Sequence, residues 1–156
     1  MSELYIQGGV PLSGRLTVQG AKNCVLPLLA ACLLVPGPVE LSNCPRLTDV
    51  DAALAILRRL GCRAEQEGHT IRVDAAGASG TAIPEEQMRA MRSSIIFLGP
   101  LLARMGEARM SYPGGCELGP RPIDLHLAAI RTLGCAVEER GGGLVCTGRP
   151  AGGDIQ

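Results

Sequence analysis

Along the first half of the chain, segments with the hydrophobic spacing of a helix alternate with segments that have the spacing of a strand. Apolar side chains every three or four residues predict helices, whereas alternation of apolar and polar positions predicts strands. In order, we expect a buried helix over residues 22–35, a strand over 39–43, an amphipathic helix from Thr48 to Gly61, and a hairpin of 62–67 and 70–74. The Thr48 hydroxyl is suited to cap the second helix.

The second half of the chain repeats this pattern with an offset of 73 residues. The tetrapeptide at 27–30 recurs at 100–103, and seven of the twelve positions in 51–62 match those in 124–135. The predicted elements recur as well: a helix over 88–104, a strand over 109–112, a helix over 123–133, and a hairpin that turns at 141–143. Self-similarity of this length indicates a repeat architecture.

Each repeat covers one supersecondary unit, at about residues 21–80 and 88–150. A unit that buries its apolar face only against a neighbour usually needs at least three copies for a stable core. Residues 154–156 run past the second unit and look like the start of further chain. We therefore expect a mixed α/β fold in which a third unit follows this segment.

One loop of the second repeat is longer than its counterpart in the first. The serine and aspartate that flank it are nine residues apart in the first repeat and thirteen apart in the second, where they are Ser111 and Asp124. The extra residues fall in the stretch 113–120, which is rich in glycine and contains Cys116. Because functional residues concentrate on loops carried by a rigid scaffold, we expect this loop to contribute to function.

Composition narrows the possible functions of the chain. Its 156 residues carry fifteen basic and fifteen acidic side chains, and aromatic residues make up 2%. A net charge of zero with so few stacking side chains argues against nucleic-acid binding. The longest apolar run, residues 24–35, falls short of the roughly 20 residues that cross a bilayer, so we expect no membrane segment.

Seven cysteines are present without a Cys-x-x-Cys pair or a histidine at metal-ligand spacing, so neither a disulfide framework nor a zinc site is predicted. The N-terminus lacks the charged and apolar regions of a signal peptide. We therefore expect a cytoplasmic protein and no cofactor. Cys116 differs from the other six because it lies in a glycine-rich loop near cations, where a thiol can become reactive, whereas buried cysteines act as small hydrophobes.

Three cations lie at predicted helices, two of them at a helix start, where an anion can bind. Arg121 occupies the position equivalent to Thr48 and cannot cap the helix, and Pro122 follows it in the first turn. Lys22, the only lysine, opens the first helix, where a cation is unfavourable unless an anion is nearby. Arg92 stands beside an apolar helical stretch. All three also have the ordinary alternative of solvated surface side chains.

Three short motifs together resemble the UDP-N-acetylglucosamine enolpyruvyl transferases of the EPSP synthase-like superfamily. They are Gly-Ala-Lys-Asn at 20–23, Met-Arg-Ser-Ser at 91–94, and Pro-Gly-Gly-Cys at 113–116 followed by Gly-Pro-Arg-Pro-Ile-Asp-Leu-His at 119–126. The resemblance covers the whole chain in the family's order. It implies an inside-out α/β barrel of repeated β-α-β-α-β-β units, three to a domain, with the active site between two domains.

The resemblance also implies a domain assignment and a set of partners. Residues 1–20 would be strands that pack into the second domain, and residues 21–156 would form about two of the three units of the first. The remainder of the same polypeptide would be the macromolecular partner. The small-molecule substrates would be phosphoenolpyruvate and UDP-N-acetylglucosamine.

The family reaction transfers the enolpyruvyl group of phosphoenolpyruvate to the 3′-hydroxyl of UDP-N-acetylglucosamine and releases phosphate, as the first committed step of peptidoglycan synthesis. By resemblance, Cys116 would be the general acid and could hold a covalent adduct. Lys22, Asn23 and Arg121 would bind phosphoenolpyruvate. The residues implied for the UDP-sugar are Arg92, Arg121, Pro122, Ile123, Asp124 and Leu125.

A second hypothesis is open on the sequence alone. The family's aspartate that deals with the attacking hydroxyl has no counterpart in residues 1–156, so this segment by itself is not expected to turn over. A non-catalytic module or truncated relic that binds a sugar nucleotide would carry the same motifs.

The loop position of Cys116 predicts selective labelling. An epoxide mimic of phosphoenolpyruvate should modify Cys116 in the intact enzyme when the UDP-sugar is present, because a thiol near cations is more nucleophilic than one in an apolar element. Peptide mapping by mass spectrometry measures the modification at each cysteine. Equal labelling of all seven would show that Cys116 is not a special thiol.

Overall fold

The computed structural model describes residues 3–112 and 122–155, and the first repeat in it contains two helices and three strands. These are α1 (Lys22–Ala31), β1 (Pro38–Leu41), α2 (Thr48–Arg59), β2 (Arg63–Glu67) and β3 (Thr70–Asp74), with a 3₁₀ turn at Cys32–Leu34. Their order is the one that the hydrophobic spacing predicted. Thr48 is the first helical residue rather than the cap: Leu47 holds the cap position, and α2 has no side-chain cap hydrogen bond. The predicted Thr48 cap is therefore wrong.

The second repeat begins with a short strand that hydrophobic spacing did not predict. Its elements are β4 (Ala82–Ile83), α3 (Glu85–Ala90), a 3₁₀ turn at Ser94–Phe97, α4 (Leu98–Met105), β5 (Glu107–Ser111), α5 (Asp124–Thr132), β6 (Ala136–Arg140) and β7 (Gly143–Thr147). Two residues of strand are too few to show an alternating pattern, and β4 exists because it pairs in parallel with β5.

The continuous helix expected over 88–104 is wrong, because the chain breaks between α3 and the following 3₁₀ turn. Met91 is extended, with φ −136° and ψ 120°. The fully buried Ser94 donates its hydroxyl to the Met88 carbonyl at 3.0 Å. A serine hydroxyl that bonds to nearby backbone competes with helical hydrogen bonding. The break removes Arg92 and Ser93 from a helix face and places them in a turn.

Sheet topology repeats between the two halves of the chain. The first sheet has the order β1-β3-β2, and the second has the order β4-β5-β7-β6, in which the last three strands correspond to those of the first. Each hairpin pairs in antiparallel register, with Ala64 opposite Val73 and Val137 opposite Cys146. The part of the chain that the structure describes thus forms two open sheets with helices, a mixed α/β fold without a closed barrel.

One aliphatic core joins the two repeats. Buried side chains of α1 and α2 form a single cluster with those of α4, β5 and β7, and Phe97 is completely buried within it. Arg104 at the end of α4 adds a polar link, since its guanidinium donates to the Leu33 carbonyl at 2.7 Å and to the Ala75 carbonyl at 2.5 Å. Those two carbonyls belong to the first repeat, so the units are held together by both packing and hydrogen bonds.

The N-terminal segment has no regular structure of its own. Residues 3–21 form neither helix nor strand, and their large apolar side chains are strongly exposed, from 76% at Val10 to 97% at Leu12. An alternating stretch with so much exposed apolar surface suits pairing with another element. The assignment of residues 1–20 to a second domain, and of 21–156 to part of a first, stays a prediction. None of the helices in 3–112 and 122–155 has the length and apolar character needed to span a bilayer.

Two glycines at equivalent repeat positions should differ in their tolerance of alanine. Gly61 and Gly134 end α2 and α5 with φ of +95° and +88°. A Cβ on Gly61 would lie 2.9 Å from the Gly77 carbonyl oxygen, whereas a Cβ on Gly134 would meet nothing within 4 Å. The left-handed backbone alone costs alanine about 1 to 2 kcal/mol, so Gly134→Ala should lose about that much and Gly61→Ala clearly more.

Urea unfolding of the two variants beside the wild type measures this difference. Each glycine is the other's control, because both substitutions add the same methyl group at the same backbone conformation. Equal losses of unfolding free energy would contradict the close approach at Gly61.

The buried thiols should make the fold sensitive to alkaline pH. Burial, reinforced by the nearby Cys62, raises the pKa of the Cys32 thiol from 9.0 to about 11. The unfolded thiol ionises first, so its stabilising contribution is complete below pH 9 and is lost as pH rises through about 11. A Cys32→Val variant of similar volume lacks this titration, and its stability should therefore fall less steeply across that window. Parallel denaturation midpoints of the two proteins from pH 8 to 11 would contradict the effect.

Candidate functional site at the junction of the repeats

A cavity of about 400 Å³ lies where the helix starts of the two repeats converge. The residues that line it are Lys22, Asn23, Asp49, Arg92, Ser93, Ile95, Ile96, Pro122, Ile123 and His126. They come from the starts of α1 and α2, the turn after α3, and the segment that leads into α5. Helix starts present free N–H groups and partial positive charge, so this arrangement favours an anionic ligand.

At three equivalent positions the lining of the cavity differs in polarity between the repeats. Lys22, Asn23 and Asp49 come from the first unit. The positions 73 residues later are Ile95, Ile96 and Pro122, and they line the same cavity. The second unit therefore adds aliphatic surface at these positions, and its polar contribution comes from other positions. Such a cavity can orient a ligand that has both an anionic and an apolar end.

Lys22 is held at the cavity by an ion pair that sequence analysis did not predict. Its ammonium nitrogen lies 2.8 Å from Oδ2 of Asp49, in the first turn of α2. Lys22 is also the first residue of α1, where no acidic side chain of the same turn offsets its charge. The carboxylate reaches across from a neighbouring helix and relieves the unfavourable cation at a helix start.

Arg92 adds a second cation to the cavity. Its Nε is buried and has no hydrogen-bond partner within residues 3–112 and 122–155. A buried donor without an acceptor is costly, and a bound acceptor would satisfy it. The break between α3 and the 3₁₀ turn delivers this side chain to the cavity, since Arg92 would lie elsewhere on a continuous helix.

Five of the residues implied by resemblance lie around this one cavity. They are Lys22, Asn23, Arg92, Pro122 and Ile123. Asp124 opens α5 and Leu125 is 78% exposed, and neither of them lines it. Cys116 and Arg121 lie outside the described residues, so their predicted roles stay predictions.

Sequence reasoning missed Asp49, Ser93 and the two isoleucines at 95 and 96 as cavity residues. Asp49 looked like part of an ordinary helix start, and the isoleucines looked like core. The repeat offset could have revealed them, because positions 22 and 23 map onto 95 and 96. His126 also lines the cavity, from the first turn of α5.

The described cysteines do not take part in this cavity. Cys32, Cys44, Cys62, Cys135 and Cys146 are buried free thiols, and burial raises the pKa of each one. They act as small core hydrophobes, as the sequence predicted. Cys24 is exposed in the first turn of α1 and lines a separate groove. Residues 3–112 and 122–155 contain no group of three His, Cys, Asp or Glu side chains that could hold a metal ion.

Sequence relatives cover the whole chain. A family model described as EPSP synthase (3-phosphoshikimate 1-carboxyvinyltransferase) matches residues 6–149. UDP-N-acetylglucosamine 1-carboxyvinyltransferase 2 of Caldanaerobacter subterraneus subsp. tengcongensis is 46% identical over 156 residues, which is 99% of this chain and 37% of the relative. The UDP-N-acetylglucosamine 1-carboxyvinyltransferase of Acinetobacter baylyi is 44% identical over 99% of this chain and 38% of its own length. The chain thus spans little more than a third of these curated relatives.

Solved structures match the fold. The enolpyruvyl transferase NikO from Streptomyces tendae superposes with a TM-score of 0.78 at 26% identity, covering 92% of this chain and 32% of that one. EPSP synthase from Acinetobacter baumannii gives a TM-score of 0.63 at 18% identity, over 92% of this chain and 33% of that one, which supports the fold alone. Since the family model matches nearly the whole chain and the architecture agrees with solved enolpyruvyl transferases, this chain belongs to the EPSP synthase family.

Proposed function

We propose that this chain forms part of the active site of a UDP-N-acetylglucosamine enolpyruvyl transferase. The observation that carries the proposal is the meeting of Lys22, Asn23, Arg92, Pro122 and Ile123, from three separate segments, around one cavity. The high identity to two UDP-N-acetylglucosamine 1-carboxyvinyltransferases supports this branch of the family. The activity is that of the complete protein, as the first committed step of peptidoglycan synthesis.

The proposed reaction is an addition followed by an elimination. The 3′-oxygen of UDP-N-acetylglucosamine bonds to C2 of phosphoenolpyruvate, while C3 gains a proton and the hydroxyl loses one. The resulting tetrahedral ketal then loses a proton from C3 and expels phosphate from C2, which restores the double bond in the enolpyruvyl ether. No oxidant, reductant or cofactor is needed, because every electron pair and proton is accounted for by the two substrates and protein acid–base groups.

In this reaction the chain supplies an acid and the groups that bind the two substrates. Cys116 is the proposed acid that protonates C3, and it can also form the covalent adduct with phosphoenolpyruvate. Lys22 and Arg121 bind the phosphate and carboxylate as charge develops, and Asn23 orients the reacting groups. Arg92 and the stretch 121–125 hold the UDP-sugar.

The polar and apolar side chains that line the cavity support these roles. Lys22 and Asn23 lie at the start of α1, where a phosphate is well accommodated. Ile95, Ile96 and Ile123 offer aliphatic surface in the same cavity. The six described cysteines are free thiols, which suits a reducing compartment, and we place the activity in the cytoplasm on that ground.

Phosphate release by the complete protein tests the proposal. Phosphoenolpyruvate and UDP-N-acetylglucosamine together should give inorganic phosphate and the enolpyruvyl ether, and neither substrate should do so alone. Lys22→Ala should reduce kcat/KM about 100-fold or more, because it removes a cation from the developing charge. The control is Arg63→Ala, which removes an exposed cation on β2, away from the cavity, and should leave turnover unchanged.

Colorimetric phosphate assay and mass spectrometry of the sugar nucleotide are the two measurements. Tight UDP-N-acetylglucosamine binding without any turnover would replace the transferase proposal with a non-catalytic sugar-nucleotide-binding module. Equal losses in the Lys22 and Arg63 variants would mean that the cavity is not the reacting site.

A further inference from the structure

The Lys22–Asp49 ion pair indicates how the proposed site binds and releases an anionic ligand. This inference rests on the proposed function. Asp49 is the only acidic residue among the described residues that line the cavity. Its Oδ2 lies 2.8 Å from the Lys22 nitrogen, so the carboxylate is already paired with the ammonium group to which an anionic ligand would bind. A ligand phosphate must therefore compete with Asp49 in order to form a full ion pair with Lys22.

The pair is built so that such competition is possible. Half of the Lys22 side chain is exposed, at 51%, and Asp49 keeps 26% of its side-chain surface exposed. Ion pairs that stay in contact with water are weak, and a flexible lysine side chain can change its partner without moving the backbone. A deeply buried pair would resist exchange, since breaking it would leave an uncompensated charge.

Comparison of the two repeats indicates that the fold does not need this ion pair for its stability. The positions equivalent to Lys22 and Asp49 in the second unit are Ile95 and Pro122, which cannot form an ion pair. Both units nevertheless fold with the same order of three strands in their sheets. The scaffold therefore does not require a charged pair at this location.

We propose that Asp49 is a positioning residue whose carboxylate holds the Lys22 ammonium in the empty cavity, yields it to the ligand's anion, and takes it back when phosphate leaves. It does not touch the reacting atoms. Its negative charge stays close to the bound anion and weakens retention of phosphate. A site that held phosphate with Lys22 and helix starts but without Asp49 would release its product more slowly.

Direct binding of inorganic phosphate to the complete protein tests this role. Asp49→Asn keeps the shape of the side chain and removes the competing charge, so it should tighten phosphate binding about fivefold, as expected for loss of a partly solvated ion pair. A merely structural role would not tighten binding. Isothermal titration calorimetry gives the dissociation constant, and inhibition of turnover by phosphate gives an independent value.

Asp51→Asn is the matched control. Asp51 lies in the same first turn of α2 and carries the same charge, but it does not line the cavity. This variant removes the same charge from the helix start and should change phosphate affinity little. In a Lys22→Gln background, Asp49→Asn should also have a smaller effect, because no ammonium is left to exchange.

Each outcome decides the inference. Tighter phosphate binding in Asp49→Asn alone, reduced in the Lys22→Gln background, supports the exchange. Unchanged or weaker binding, an equal gain in Asp51→Asn, or no phosphate binding by the wild type would overturn it. Absence of turnover by the wild type would refute the proposed function separately, because the binding comparison does not depend on catalysis.

Discussion

Packing between the two repeats is the constraint on which the rest of the structure depends. Neither unit has enough surface to bury its helices alone, so α1, α2 and α4 share one aliphatic core with strands from both sheets. Leu29, Leu57 and Leu101 are completely buried in it. Shared burial brings the starts of α1, α2 and α5 to the same place as the turn after α3. The cavity is a consequence of that convergence.

Duplication followed by divergence explains how one scaffold makes an asymmetric site. Equivalent positions supply Lys22 and Asn23 on one side and Ile95 and Ile96 on the other. The backbone differs as well, because Lys22 and Asn23 begin an α-helix whereas Ile95 and Ile96 lie in a 3₁₀ turn. The first unit thus supplies Lys22 at a helix start that already favours an anion, and the second unit supplies aliphatic surface together with Arg92. Asp49 partly neutralises the charge of Lys22 through their ion pair.

A local break in regular structure also places residues at the site. A continuous helix through residues 88–104 would have kept Arg92 and Ser93 on a helix face. The extended Met91 and the buried Ser94 hydrogen bond end that helix and turn the two side chains toward the cavity. Arg104 meanwhile ties the end of α4 to carbonyls of the first unit, which limits how far the two halves can separate. Function here depends on irregular backbone supported by a regular frame.

The sequence by itself determined the repeat, the order of elements in the first unit and the two hairpins, because hydrophobic periodicity records which face of each element is buried. It also determined the family, and it singled out Lys22, Asn23, Arg92, Pro122 and Ile123 through motifs. Only the tertiary structure decided that these five meet around one cavity, that Asp49 pairs with Lys22, and that the helix after β4 is broken. The reason is that ion pairs, short parallel strands and helix breaks depend on neighbours distant in the chain, whereas periodicity reports only local burial.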